Sequence, residues 1–302
     1  MQIGIIGLGR MGSGVARRLL PQKYTVHGYD PNKQQANDAQ TYGVKTHDTL
    51  QQFAKAVDIA WLMVPAGNIV DTVIEQLIPH LKKNSIIVDA GNSHFKDTQK
   101  RALHVLKHDL SFVDCGTSGG VHGLKNGFCL MVGGTQQAFA CLKPFLEIIA
   151  CPNGYAHVGP VGSGHLVKMV HNGIEYGIMQ AYAEGLDLLK HTPAPFDQLD
   201  LEKITQLWQS GSVIRSWLLE LTHNIFEQHG QQLTEVSGKV ASSGMGEWTV
   251  ETAKELNIAV PVIKKSLEVR QESLQNGGTY ATKLVALMRN QFGGHNFYTK
   301  EH

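Results

Sequence analysis

The sequence predicts a doubly wound, mainly parallel α/β domain followed by an all-α domain, and three observations predict it. Short β-branched runs alternate with helical-length stretches as far as about residue 159. The first of these runs flows straight into a glycine-rich turn. Beyond the Gly-Pro-Val-Gly-Ser-Gly stretch at 159–164 the strand signals stop and long helical patterns continue to the end of the chain. With 302 residues there is room for two cores, and the boundary is expected between 1–162 and 163–302.

Strands are expected at 3–6, 25–29, 59–64, 86–89, 112–114, 129–132 and 155–158. Helices are expected at 13–20 and then at 165–190, 201–210, 216–228, 249–256, 262–275 and 279–289. Pro193, Pro195, Gly230, Pro261 and the Gly277-Gly278 pair are read as breaks. There is no internal repeat and no low-complexity tract.

Composition narrows the function classes. A net charge of +1, with 18% charged and 42% hydrophobic residues, argues against disorder and against a field that attracts nucleic acid. No apolar stretch reaches a bilayer-spanning length, and the opening Met-Gln-Ile-Gly-Ile-Ile lacks the basic flank of a secretion signal, so a cytoplasmic home is expected. Cys115, Cys129, Cys141 and Cys151 show no Cys-x-x-Cys spacing and read as reduced core thiols. The 15 histidines form no metal-binding pattern, and no metal is expected.

The strand at 3–6 leads into Gly7-Leu8-Gly9-Arg10-Met11-Gly12, with a helix after it. That is the dinucleotide fingerprint in its proper context, the mark of a Rossmann domain. One glycine serves the turn, one the approach of the pyrophosphate, and one the packing of helix on strand. The helix start then offers amide donors and a positive dipole to the phosphates. Asp30, ending the second strand, is placed to accept hydrogen bonds from a ribose and to repel the extra phosphate of NADP, so NAD is favoured. Asp30 could instead merely open the Asp-Pro-Asn turn and cap the next helix, and Lys33 nearby could tolerate a phosphate. Val64-Pro65-Ala66 would line the same edge, or simply form a strand-to-helix turn.

The second domain opens with Val167-Lys168-Met169-Val170-His171-Asn172-Gly173-Ile174-Glu175-Tyr176. At about 100° per residue, Lys168, Asn172 and Glu175 share one face, with His171 and Tyr176 at its flanks and Val167, Val170, Ile174 and Ile178 elsewhere. Such a stripe suits an acid and a base. A lysine desolvated among apolar neighbours can serve as general base, and a carboxyl in a cleft as general acid. A solvated helix face is the competing account. After the fifth strand, Ser118-Gly119-Gly120 could hold a substrate carboxylate or be a plain glycine turn. Asn92, in Ala90-Gly91-Asn92-Ser93, could orient nicotinamide or substrate.

Taken together these motifs resemble the 6-phosphogluconate dehydrogenases of the β-hydroxyacid dehydrogenase superfamily. To the residues already quoted the resemblance adds Gly246-Glu247-Trp248-Thr249 and the ending Arg289-Asn290-Gln291-Phe292-Gly293-Gly294-His295, so it covers nearly the whole chain, in the family's short form. It implies an oxidative decarboxylation in the pentose phosphate or gluconate-using routes. In that reaction Lys168 is the general base, Glu175 the general acid and Asn172 part of the catalytic set. Ser118, Gly119, Gly120, His171 and Asn172 would position the sugar acid, and Tyr176 and Arg270 its phosphate. Arg289 and His295 would reach a neighbouring subunit's active site, which implies a homo-oligomer, dimer or tetramer.

Two departures from the family pattern matter. Pro31 stands where NADP-linked members carry an arginine, which supports NAD, and Ser243 replaces a phosphate-binding lysine of the long members. Arg215 is a further candidate donor, although a role at a helix start suits it better. The rival readings are a dehydrogenase of the 3-hydroxyisobutyrate or tartronate semialdehyde type, and a non-catalytic NAD-binding sensor. The sensor would have no use for a lysine and an acid aligned on one helix.

Overall fold

The computed structural model describes residues 1–22, 24–242 and 244–299. The chain divides into two compact units, Met1–Met169 and Val170–His302.

The first unit is built on one eight-stranded sheet. Its strands are β1 (Ile3–Ile6), β2 (Val26–Tyr29), β3 (Lys45–Thr46), β4 (Ile59–Leu62), β5 (Ile86–Asp89), β6 (Ser111–Ser118), β7 (Phe128–Gly133) and β8 (Ala150–Gly159). They lie in the order β3-β2-β1-β4-β5-β6-β7-β8. Every pairing is parallel except β6 with β7, so the predicted doubly wound, mainly parallel sheet is what forms. The connecting helices are α1 (Arg10–Leu19), α2 (Lys33–Thr41), α3 (Leu50–Ala56), α4 (Asn68–Leu77), α5 (Phe95–Val105), α6 (Gly123–Asn126) and α7 (Gln136–Ile149).

Side chains alternate across each strand, and both faces are apolar because helices cover both. Ile3, Ile5, Trp61 and Val88 enter one core, while Ile6, Ala60, Leu62 and Ile87 enter the other. The chain reverses its direction of winding at β1, which lies between β2 and β4. Ligands of open α/β sheets collect outside the carboxyl ends of strands at such a switch point.

The second unit is helical. The helix α8 (Ser163–Lys190) begins in the first unit and continues here, followed by α9 (Leu201–Trp208), α10 (Trp217–His229), α11 (Met245–Glu255), α12 (Pro261–Asn276) and α13 (Tyr280–Gly293). Five consecutive residues of α13, Leu284 to Met288, are buried, so this helix is enclosed on all sides at the centre of the unit's core. Pro261 begins α12 and does not break it, since the first helical position needs no N–H donor. The expected start of α11 also moves back, to Met245, because Gly244 adopts φ +84° before it.

The expectation of four core thiols is corrected. All four cysteines are free, but only Cys115 is buried, whereas Cys129 and Cys141 are exposed and Cys151 is intermediate. Among the described residues no helix is long and apolar enough to cross a membrane. Nor, among them, do His, Cys, Asp and Glu gather in any group that could hold a metal.

The β2 and β3 edge holds a histidine pair. His27 Nδ1 and His47 Nε2 share a hydrogen bond of 2.8 Å, with the rings stacked at 5.1 Å. Burial, then the neighbouring His47 and Lys45 and more remotely Lys82, lowers the pKa of His27. Burial, then Lys45, lowers that of His47 against an opposing Asp48. A pKa depressed by folding means that protonation favours the unfolded chain. The stabilisation is complete above the ordinary pKa of 6.5 and fades as pH falls below it. Melting temperature should therefore drop as pH falls from about 6.5 towards 5, and His47→Gln should flatten that drop. An equally steep acid limb in the variant would refute the assignment.

Candidate active site

The fingerprint turn is shaped as its glycines require. Gly7 has φ +88°, and a Cβ there would stand 2.5 Å from the Met63 carbonyl oxygen. A Cβ on Gly12 would fall 1.8 Å from the Gly7 carbonyl oxygen, so the turn closes only on glycine. At Gly9 the same atom would meet nothing within 4 Å, leaving the open side that a pyrophosphate needs. Gly9 also caps α1 with no side-chain hydrogen bond, and the first turn of α1, which includes Arg10, Met11 and Gly12, contains no acidic residue that would compete with a phosphate.

Asp30 braces this turn. One carboxylate oxygen accepts the N–H of Leu8 at 2.7 Å and the other that of Asn32 at 2.8 Å. The cap of α2 is Asn32, whose side chain accepts from Gln34 N–H, so the alternative role as helix cap belongs to Asn32 and not to Asp30. Lys33 is engaged with Asp48 at 3.1 Å. The residues present thus fit a dinucleotide, with Asp30 at the end of β2 where a ribose would lie.

Beside the turn, Val64 packs near the loop after β5, for a Cβ on Gly91 would stand 2.8 Å from the Val64 carbonyl oxygen. Pro65, Ala66 and Asn92 lie along this rim, all three exposed. A residue without a sequence signal holds the rim together. Arg101, on α5 and buried, donates to both Asp71 oxygens at 2.7 and 3.0 Å, to the Gly67 carbonyl at 3.1 Å and to Ser93 Oγ at 3.1 Å. Asp89 lies 3.6 Å away and takes the Ser93 hydroxyl at 2.7 Å. Burial opposes the arginine's charge, but the Asp71 hydrogen bond with the charges of Asp89 and Asp71 outweighs it and raises the pKa.

Lys168 lies on α8, 5% exposed, against β6. A Cβ on Gly116 would stand 2.4 Å from Lys168 Cβ, so that glycine is what lets the lysine stem approach the strand. Ser118, two residues on and on the same strand face, ends β6, with Gly119 and Gly120 following at positive φ. Lys168 and Glu175 occupy one unbroken helix, about 10 Å apart along its axis.

In the second unit Tyr176 and Arg270 come together face to face, with the guanidinium 3.3 Å from the ring centroid. A Cβ on Gly246 would be 2.6 Å from that ring, so the Gly-Glu-Trp-Thr motif provides the other side of the slot. Tyr176 Oη meets Ser242 Oγ at 3.1 Å. Arg270 is 2% exposed, and its Nη2 has no hydrogen-bond partner among the described residues. Burial pulls its pKa down to about 10, opposed by Tyr176, with Arg289 pulling the same way and Glu175 against. Burial likewise lowers Arg289, against Tyr176, Glu175 and Tyr298. Two buried, neighbouring guanidiniums with an unsatisfied donor make a site that asks for an anion. His171 Nδ1 is 3.0 Å from Asn172 Oδ1 and 4.0 Å from Glu175 Oε2, with the His171 and Glu175 side chains partly exposed.

Arg289, expected from the resemblance to serve a neighbouring subunit, lies within electrostatic reach of Arg270, Tyr176 and Glu175 of its own chain. His295 follows α13 against Phe292, and its carbonyl accepts from Asn290 Nδ2 at 2.9 Å. Farther along the tail, Phe297 packs on its own helical core and Thr299 bridges Val236. Arg215 is exposed ahead of α10, and Ser243 lies outside the described residues.

A Rossmann fold with an intact fingerprint, followed by a helical unit with a buried arginine pair, defines a nicotinamide-nucleotide dehydrogenase of the two-domain kind. Residues 2–159 match the family model described as the NAD binding domain of 6-phosphogluconate dehydrogenase, and residues 164–283 the model of that enzyme's C-terminal domain. The chain belongs to the 6-phosphogluconate dehydrogenase family. It is 41% identical over 305 residues, the full length of both chains, to an NAD(+)-dependent, decarboxylating 6-phosphogluconate dehydrogenase of Haloferax volcanii. A structure of Plasmodium falciparum 6-phosphogluconate dehydrogenase, described in apo form and with NADP+ or 6-phosphogluconate, aligns with TM-score 0.83 and 27% identity, covering 91% of this chain and 62% of that one. A 3-hydroxyisobutyrate dehydrogenase of Salmonella typhimurium aligns with TM-score 0.77, covering 94% and 99%, but at 22% identity it shares the fold alone.

Proposed function

We propose that the chain catalyses oxidative decarboxylation of 6-phospho-D-gluconate to D-ribulose 5-phosphate and CO2 with reduction of NAD. The observation that carries this reading is the buried Arg270, whose Nη2 is unsatisfied among the described residues, stacked on Tyr176 beside Arg289. A phosphate would supply the missing acceptor and charge, whereas the one carboxylate of an unphosphorylated hydroxyacid would be spent on Ser118, Gly119 and Gly120.

Gly7 to Gly12, Asp30 and the rim of Val64, Pro65, Ala66 and Asn92 hold the dinucleotide. When bound, its nicotinamide supplies a hydride acceptor. Ser118, Gly119, Gly120, His171 and Asn172 orient the sugar acid. Lys168 takes the proton of the C3 hydroxyl as the C3 hydride leaves, giving a β-keto acid. That acid sheds its carboxyl as CO2, and Glu175 protonates the enediol that remains. The working form is a homo-oligomer, dimer or tetramer, in which His295 serves a neighbouring site. It is favoured by an apolar stripe left open on α8, where Val170, Ile174 and Ile178 are 41, 52 and 39% exposed.

The test is the initial rate of nicotinamide reduction with 6-phosphogluconate under NAD and under NADP, with released CO2 trapped. Equal amounts of NADH and CO2 are expected. Reduction with 3-hydroxyisobutyrate but not with the phosphorylated acid would overturn the reading. Cofactor choice is checked separately by Asp30→Ala. Hydrogen bonds to a charged group are worth about 1.5–3 kcal/mol, so the preference for NAD over NADP should narrow by about 10- to 100-fold. An unchanged ratio would remove Asp30 from the cofactor site.

A further inference from the structure

Asp114 lies in β6, fully buried, and none of the proposed steps uses it. Its Oδ1 accepts the N–H of Gly162 at 2.7 Å and its Oδ2 the N–H of His165 at 2.8 Å. Those amides belong to the start of α8, where the first N–H groups of any helix lack partners within the helix. A carboxylate from another element, 48 and 51 residues away in sequence, therefore takes the place of a local cap.

The space around it is closed. A Cβ on Gly133 would stand 2.5 Å from Asp114 Oδ1, and one on Gly164 would stand 2.3 Å from the Met131 carbonyl oxygen. A second tie runs from the same turn to α5. His165 Nδ1 shares a 2.7 Å hydrogen bond with Thr98 Oγ1 and lies 4.0 Å from Asp114 Oδ2. Lys168 comes three residues after His165, and Gly116, two residues after Asp114 on the same strand face, is what its stem rests against.

We propose that Asp114 is the positioning residue for Lys168. Its carboxylate fixes the height and rotation of the first turn of α8 on β6, and with them the place of the lysine amine. This rests on Lys168 being the general base. An anion is needed because both of its oxygens face N–H donors. The amide of an asparagine would turn its own N–H group toward one of them.

The experiment is a double-mutant cycle in the full chain with Asp114→Asn, Lys168→Met and both together, counting folded sites by NAD-binding stoichiometry. A misplacement near 1 Å costs about 100-fold, so Asp114→Asn should lower kcat about 10- to 100-fold per folded site. The KM for NAD should stay within about threefold. On the Lys168→Met background the same substitution should cost less than about twofold, because residues that act as one unit are not additive. The full loss recurring on that background, or an unchanged kcat in Asp114→Asn alone, would overturn the proposal. Should Asp114→Asn not fold, Thr98→Val loosens the same turn through His165 and must show the same non-additivity. Lys168→Met retaining its activity is a different outcome, and that one would sink the general-base reading itself.

Discussion

Lys168→Met should lower kcat about 10²- to 10⁴-fold while leaving the dissociation constant for NAD unchanged, the range expected for removing a general base. Methionine keeps an unbranched stem of similar length, so it can lie in the groove that Gly116 leaves open and spare the fold. The lysine is 5% exposed, and deleting its amine therefore removes a buried polar group without exposing apolar surface. Single-turnover reduction of NAD, read at saturating 6-phosphogluconate, isolates the step. A variant that binds NAD and still turns over within about tenfold of the parent would assign the proton transfer to another group.

Arg270→Met should raise the KM for 6-phosphogluconate about 100-fold or more and leave the melting temperature equal to the parent's or above it. The first effect follows from losing charge-assisted hydrogen bonds to a phosphate, each worth about 1.5–3 kcal/mol. The second follows from burial. The guanidinium lies in a protein interior beside another arginine with one donor unsatisfied among the described residues, a placement that costs folding energy until an anion arrives. Methionine fills a similar volume and can still lie on the Tyr176 ring. Thermal melts with and without substrate read both effects at once, since the parent should gain stability on binding and the variant should not. A variant that melts well below the parent with an unchanged KM would make Arg270 a structural residue.

The division between what the sequence disclosed and what it hid follows the range of the interactions. The strands β1 and β5 have the predicted bounds because each is a buried apolar run closed by a glycine turn or an acidic residue. The strand β3 escaped notice, since two residues, Lys45 and Thr46, carry no period at all. The helix α8 announced itself by an inversion. Its polar Lys168 is buried while Ile174 on the other side is 52% exposed, and a stripe of converging polar groups is legible on a helical wheel. Asp114 and Arg101 were not legible, because Asp71, Gly162 and His165, which they hold, stand 30, 48 and 51 residues away and only the packing of strand against helix brings them near. The Tyr176, Arg270 and Arg289 group was legible only through resemblance to a family, as its members lie on three separate helices.

The Arg101 knot ties the turn at Gly67 to the turn at Ser93 through the protein's own groups. Ordering a flexible loop on binding costs about 1–2 kcal/mol per residue in lost backbone freedom, and here that entropy is lost when the domain folds. At the proposed cofactor site the nucleotide would meet a rim already set, and its affinity would not be discounted by the stiffening of two loops. The same arrangement makes tightness of binding depend on a helix that the nucleotide need never touch. Loosening α5 at Arg101 would let the rim breathe and speed the departure of the dinucleotide, even with every glycine of the fingerprint in place.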